Sequence, residues 1–299
     1  MSTLTTASAR RKRWGEALTG YLFISPWLFV FFTFIIFSIG WAIYLSFTRY
    51  NLLRPPEWWG LEGYQRVLGD ELFLQKALPN TFKYVLIVVP LQTIVSLVLA
   101  FAMDQQLRFR RLFRTLFYLP SVTSSVVISL IFVWLFAARG VVNQIVGLNW
   151  DWLGQPQTAF YVIMGMNVFT TSGTLMLIFL AGLQDISAAI YEAAAIDGAS
   201  KIQQFFYVTI PLMRPVIFFV VTVGVIGCFQ VFDQLYVMTQ GGPLDSTTTI
   251  TYLIYKWAFR DTTIKMGQAS ALAIILTLII LAITLLQRRV IEGSGSANA

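Results

Sequence analysis

Few side chains in this 299-residue chain could carry out covalent chemistry. It has no histidine and one cysteine, Cys228, which lies inside an apolar run. Those two facts remove Ser-His and Cys-His nucleophilic machinery, Cys/His metal sites and haem ligation, so neither a catalytic residue nor a metal site is expected. None of the six lysines follows a glycine, so no Gly-x-x-x-x-Gly-Lys-Ser/Thr phosphate loop is present. What remains is binding chemistry. Asp233 is the only acidic residue well within an apolar run, with Gln230 three residues before it and Gln234 directly after. On a continuous helix Gln230 and Asp233 share a face. Carboxylates and amides suit a hydroxyl-rich ligand, and an aromatic such as Tyr236 can stack on a sugar's apolar faces. Asn167 lies midway along another apolar run. Plainer roles stay open for both. Asp233 falls about 27 Å along the helix from Pro215 and could be a solvated carboxylate at the outer end or pair with another subunit. Asn167 could simply join two helices by hydrogen bonding.

The elements that would position these residues are membrane spans. Hydrophobic residues make up 57% of the chain and charged residues 12%, far from a soluble globular composition. Apolar runs at 21–47, 81–103, 116–137, 158–183, 216–238 and 267–286 are each near the roughly 20 residues that cross a bilayer as a helix. The first run is too long for a signal peptide and is closed by no small-residue cleavage site. Pro90 and Pro120 interrupt the pattern and blur the ends of two runs. The expected fold class is therefore an all-α integral membrane protein with six transmembrane helices over 21–287. A segment 1–20 precedes them and a short tail 288–299, ending in small residues that read as disordered, follows.

Six spans put both termini on one side. That side carries Arg10, Arg11, Lys12, Arg13, the cluster Arg108, Arg110, Arg111 and Arg114, then Lys201, Arg214, Arg288 and Arg289. The basic residues closest to spans favour it as the cytoplasmic side, so both termini and the loop 185–215 are expected in the cytoplasm. The net charge of +7 is spread over the flanks of spans rather than gathered in one patch, which argues against a nucleic-acid partner. Segments 51–80, 139–157 and 239–266 face outward. Their Trp58, Trp59, Tyr64, Trp150 and Trp152 read as headgroup anchors in the lipid, with partner contact as the alternative.

The loop 185–215 is the most legible stretch. Asp185 or Ser187 can cap an alanine-rich helix over 188–196, and Gly198 can end it in the left-handed conformation. Ser200-Lys-Ile-Gln203 has the form of a capping box starting a second short helix, which Pro211 and Pro215 end. The result is a rigid helix, bend, helix unit with low side-chain bulk at Ala193, Ala194, Ala195 and Ala199 and charge at Glu192 and Asp197. Such a knob suits a groove on a cytosolic partner; a helix lying on the membrane is the plainer reading.

Glu192-Ala193-Ala194, Gly198 six residues after the glutamate, and Pro211 resemble the EAA loop of bacterial ATP-binding-cassette (ABC) importer permeases. The string Glu-Ala-Ala-Ala-Ile-Asp-Gly-Ala is similar to the sugar branch of binding-protein-dependent permeases, which includes maltose and glycerol-phosphate importers. Val208 and Ile210 stand where that pattern usually has Ile and Leu. The resemblance extends through Trp59-Gly60-Leu61, Tyr118-Leu119-Pro120, Gly140-Val-Val-Asn143 and Thr239-Gln-Gly-Gly-Pro243. It implies a type I importer permease fold in a bacterial plasma membrane. It further implies a coupling helix in which Glu192, Ala193, Ala194, Asp197, Gly198 and Ala199, with Pro211 at its end, contact a separate ATPase. The implied partners are an ABC ATPase dimer, which would bind the ATP and magnesium, a second homologous permease and an extracytoplasmic solute-binding protein landing near 239–245. This chain itself would bind no cofactor, and the implied substrate is a sugar or sugar-like solute. Gln230, Asp233, Tyr236 and Asn167 are the candidates for its path. A membrane-embedded enzyme would need several ionisable residues at one depth. A secondary carrier usually has several intramembrane carboxylates or symmetric broken helices. Neither pattern is present in the sequence.

Overall fold

The computed structural model describes residues 19–105, 108–261 and 263–295, the last six as backbone only. In chain order the helices are α1 (Thr19–Ser46), α2 (Glu62–Leu68), α3 (Phe73–Asp104), α4 (Arg110–Val122), α5 (Ser125–Leu135), α6 (Val141–Val146) and α7 (Ala159–Gln184). There follow α8 (Ala188–Ile196), α9 (Lys201–Gln204), α10 (Arg214–Phe229), α11 (Asp233–Met238), α12 (Ile250–Tyr255) and α13 (Met266–Gly295). A two-stranded antiparallel ribbon, β1 (Thr48–Arg49) and β2 (Glu57–Trp58), pairs Thr48 with Trp58 and closes the first outer segment.

Five of the expected spans are long and apolar enough to cross a membrane, and the sixth is supplied by a bent pair. That bent pair corrects the sequence reading of 116–137 as one straight span. The chain enters helix at Arg110, continues through Pro120, and turns by 98° between α4 and α5. The break lies at Thr123 and Ser124, whose backbones are extended. Thr123 Oγ1 donates to the Leu119 carbonyl at 2.9 Å, and the Ser124 carbonyl accepts from Ile128 N at 3.1 Å, so these two carbonyls at the bend are satisfied. Pro90 leaves α3 unbroken.

The fifth span is also interrupted. Helix α10 ends at Phe229, Gln230 to Phe232 leave helical geometry, and Asp233 opens α11. Thr251 Oγ1 from α12 donates to the Val231 carbonyl at 2.8 Å, replacing the bond that a continuous helix would make. Gln230 and Asp233 therefore do not share a helix face, contrary to the reading from spacing. The last helix runs on to Gly295 rather than ending near 286.

Helices α3 and α7 form the most extensive packed pair, with α10 against α3, α4 against α7, α11 against α5, and α13 against α1 and α10. Two apolar cores result. One gathers Tyr84, Val88, Phe160, Ile163, Phe229 and Leu272, the other Ala100, Met103, Met176, Phe179, Leu183 and Met213. Along α3, α7 and α10 the cores are separated by polar or small residues: Gln92 and Ser96, Thr170 to Thr174, and Thr222 and Gly224. The bilayer offers no water to these groups, so a polar layer between two apolar ones has to be hydrogen-bonded within the protein or line an aqueous space.

Candidate functional site

The polar layer does both. Gln92 is buried, and its Oε1 accepts from Thr171 Oγ1 at 2.9 Å across the α3 and α7 interface. Helix α10 comes close enough that a Cβ on Gly224 would lie 2.5 Å from Gln92 Nε2. Only glycine leaves the amide in place there. A cavity of about 370 Å³ opens beside this contact, lined by Gln92, Ser121, Ser125, Asn167, Thr171 and Gln234 among others. A second hollow of about 210 Å³ shares Asn167, Gly227 and Gln234 with it and adds Gln230 and Asp233. The two hollows lie side by side, and polar side chains line both. Asn167 Oδ1 and Ser125 Oγ are enclosed without a hydrogen-bond partner in the described residues, which is costly unless a ligand or water completes them.

The structure thus brings together three of the four residues singled out from sequence: Asn167, Gln230 and Asp233. Tyr236 stands apart. Its ring stacks on Phe232 at 5.5 Å and meets Tyr255 edge-on at 5.2 Å, and hydrogen bonding of the neutral Tyr255 phenol to Tyr236 is the main reason that phenol is held above its usual pKa. Gln92, Thr171, Ser121 and Ser125 were missed by the sequence reading. The signal for Gln92 was available: it is the one amide inside the apolar run 81–103. The bend at Thr123–Ser124 was not legible, and it is what turns Ser121 and Ser125 toward the cavity.

The second functional region is the unit after α7. Helix α8 has the bounds read from sequence, but Ser187 at its N-cap makes no side-chain capping bond, contrary to the expected cap from Asp185 or Ser187. Gly198 takes φ +81°, with its N–H donating to Ala195 O at 3.1 Å and Ala199 N–H donating to Ala194 O at 2.9 Å. That pair of bonds is a Schellman motif, which satisfies the last carbonyls of α8 and reverses the chain. The capping box follows: Ser200 Oγ accepts from Gln203 N at 3.3 Å and Gln203 Oε1 accepts from Ser200 N at 2.8 Å. Tyr191 Oη and Thr209 Oγ1 lie 2.9 Å apart, tying α8 to the returning segment. Pro211 does not end that segment as expected. The chain is helical on both sides of it, passing through a wider turn at Phe205–Thr209 and bending at Met213 before α10.

Glu192, Ala193 and Asp197 are exposed on this knob, while Ala194, Ala199 and Pro211 are half-buried. Bare apolar side chains surround them, which sequence reasoning overlooked: Ile196 is 87% exposed, Ile202 72% and Tyr207 79%. Glu192 and Lys201 also border a cleft of about 700 Å³ with Phe101, Asp104 and Gln204.

At the opposite end, the loop after α11 is built rigidly. Thr247, Thr248 and Thr249 are buried, and Asn80 Nδ2 donates to the Asp245 and Thr248 carbonyls at 3.3 and 3.0 Å. Arg260 donates from Nη1 to Tyr252 Oη at 2.6 Å and from Nη2 to Gln240 Oε1 at 2.7 Å. Leu244 is left 83% exposed at the tip. Of the outer tryptophans, Trp152 is engaged internally, donating from Nε1 to Asn143 Oδ1 at 2.8 Å, whereas Trp58 is 70% exposed.

A polar passage in the membrane, a rigid knob at one end and a braced loop at the other are the parts of a transport subunit. Residues 92–293 match the family of binding-protein-dependent transport system inner membrane components. The chain belongs to that family. It is 37% identical over 280 residues to the probable ABC transporter permease protein YesP of Bacillus subtilis, covering 91% of this chain and 89% of that one. It is 33% identical to the lactose transport system permease protein LacF of Rhizobium radiobacter, covering 95% and 97%. The fold is similar to that of a bacterial ABC transporter involved in the import of the acidic polysaccharide alginate, with a TM-score of 0.80 at 21% identity, covering 95% of this chain and 98% of that one. The protein is a multi-pass permease of an ABC importer, a transport subunit rather than an enzyme.

Proposed function

We propose that this permease forms one half of the path for a neutral, hydroxyl-rich solute, a sugar or a short oligosaccharide. A second, similar permease forms the other half, an ABC ATPase dimer docks on the knob after α7, and a solute-binding protein docks on the braced outer loop. The observation that carries the reading is the passage between the two apolar cores. Its polar lining consists of amides and hydroxyls, and Asp233 is the only charged side chain among the lining residues. Amides, hydroxyls and one carboxylate accept and donate to sugar hydroxyls. This half of the path offers no lysine or arginine among those lining residues to pair with a phosphorylated solute. The likeness to the lactose permease supports the same class.

In this arrangement ATP and magnesium are held by the ATPase. The exposed surface of Glu192, Ala193, Ile196 and Asp197 seats in a cleft of that subunit. The Schellman bend and the capping box make the knob a rigid body, so movement of the ATPase reaches α7 and α10 instead of being absorbed in the loop. Both termini then lie on the ATPase side, in the cytoplasm of a bacterial cell.

The test is uptake by the complete transporter in proteoliposomes, with a panel of sugars and phosphorylated sugars supplied with the cognate binding protein. ATP-dependent uptake of a neutral sugar, abolished by Gln92→Leu without loss of the assembled complex, supports the proposal. Uptake restricted to phosphorylated solutes, or uptake insensitive to Gln92→Leu and Asn167→Ala, overturns it.

A further inference from the structure

Arg110 and Arg114 lie one turn apart on α4 and converge on a single neutral acceptor. The Gln184 amide, oriented by its neighbours, presents its oxygen to Arg110 Nη2 at 2.7 Å and to Arg114 Nη2 at 3.2 Å. The Nε atoms of both arginines are enclosed by the protein and have no hydrogen-bond partner. Two guanidiniums therefore share one acceptor. Among the described residues neither has a carboxylate within ion-pair distance; Asp104 acts on Arg114 only from farther away. Like charges held this close repel unless an anion lies between or over them, and a guanidinium fork matches the oxygens of a phosphate. Arg108 and Arg111 flank the pair and are exposed.

The same helix supplies apolar surface beside the charge. Phe109 is 67% exposed, Leu112 56% and Leu116 52%. A basic cluster next to uncovered apolar side chains at the end of a span complements a molecule with an anionic head and hydrocarbon tails. Asp185, Glu192 and Asp197, which lie on or beside the knob at this end of the molecule, form no ion pair with either arginine. We propose that Arg110 and Arg114 form a binding site for the phosphate headgroup of an anionic phospholipid, clamped against Gln184 at the junction of α4 and α7. The inference rests on the inward placement of this end proposed above. Through Gln184, which closes α7 immediately before the knob, such a lipid would brace the span that carries the coupling helix.

The experiment is native mass spectrometry of the complete, delipidated transporter titrated with phosphatidylglycerol or phosphatidylcholine of equal chain length. The soluble headgroup glycerol phosphate is a third arm. The wild type is expected to retain phosphatidylglycerol preferentially. Arg110→Gln with Arg114→Gln should weaken that binding by roughly fivefold for each arginine removed, about 25-fold together. Arg108→Gln with Arg111→Gln should keep most of the preference. If the first double variant fails to assemble, Arg114→Gln alone is read, with an expected loss of about fivefold. Equal retention of both lipids, or a preference untouched by the Arg110 and Arg114 changes, overturns the site. Displacement of the lipid by millimolar glycerol phosphate would instead make it a soluble-anion site, and a cross-link from this pair to an acidic segment of a partner subunit would make it a protein contact. Either result overturns the lipid assignment. Cysteine labelling at Arg108→Cys from the inside or outside of vesicles reports the orientation separately, so failure of the inward placement is distinguishable from failure of the lipid site.

Discussion

Replacement of Gly198 separates backbone geometry from surface contact at the knob. The residue sits at φ +81°, and a Cβ built on it meets nothing within 4 Å of this chain. Any effect of Gly198→Ala in the chain itself therefore comes from the left-handed backbone, which costs an L-residue about 1–2 kcal/mol. Asparagine tolerates that region better and should cost less, although it is larger. Gly198→Pro cannot reach the conformation, because its φ is locked near −65°, and it also removes the N–H that donates to Ala195 O. Its cost is about 3 kcal/mol or more. At about 1.4 kcal/mol per factor of ten, the bend should open roughly 5–30 times more often in the alanine variant and more than about 100 times more often in the proline variant. Two assays report this. Amide exchange at Ala199, whose N–H closes the Schellman motif, measures the opening directly. Binding-protein-stimulated ATP hydrolysis in proteoliposomes measures its effect on coupling. The expected order of activity is glycine, asparagine, alanine, proline. An asparagine variant less active than the alanine one would show that bulk at the docking surface matters more than backbone conformation. A proline variant indistinguishable from wild type would refute the rigid-knob argument altogether.

Other outcomes follow from the passage and the outer loop. Gly224→Ala places a methyl group 2.5 Å from Gln92 Nε2 and must displace that amide, so uptake should fall at least tenfold while membrane insertion is retained. Asp233→Asn should keep uptake of a neutral sugar within a few fold, whereas Asp233→Leu should abolish it; equal effects would place the carboxylate outside the path. Tyr252→Phe removes the acceptor of the Arg260 bond and should loosen the outer loop by about 1 kcal/mol, read as faster exchange across α12. Burial, the larger influence, raises the Tyr252 pKa, against the opposing effect of Arg260. A phenol with a raised native pKa stabilises the fold below its ordinary value and loses that contribution as pH rises through the raised one. Melting of the wild type should accordingly fall above about pH 10, and the Tyr252→Phe variant should show a smaller fall.

What could be read in advance divides along physical lines. In the knob after α7 the bounds of α8, the left-handed Gly198 and the Ser200 capping box were legible, because these are local rules that act within a few residues, whereas the cap at Ser187 and the stop at Pro211 are absent. Spans were legible as runs because hydropathy sums over many residues. The two breaks were not. Thr123 and Ser124 look like ordinary members of an apolar run, and the Val231 carbonyl can leave the helical pattern only because Thr251, twenty residues later, donates to it. Pro90 misled in the opposite direction, since it sits inside unbroken helix, whereas the break does follow Pro120 by three residues. The error on Gln230 and Asp233 had a fortunate end, since breaking their shared face turned both into the hollow that also holds Asn167.

The bend between α4 and α5 divides the labour of one span. Its first half is packed on α7, the helix that leads into the knob, and its second half is packed on α11, the stub that leads into the loop braced by Asn80. A straight rod would transmit any tilt at one end to the other with opposite sense, so the two mouths of the passage would always move together. A cranked rod has an elbow, and each arm follows its own neighbour. In the arrangement proposed above, the mouth beside the knob would answer to the ATPase and the opposite mouth to the binding protein, while the elbow itself, at the level of Ser121 and Ser125, borders the cavity.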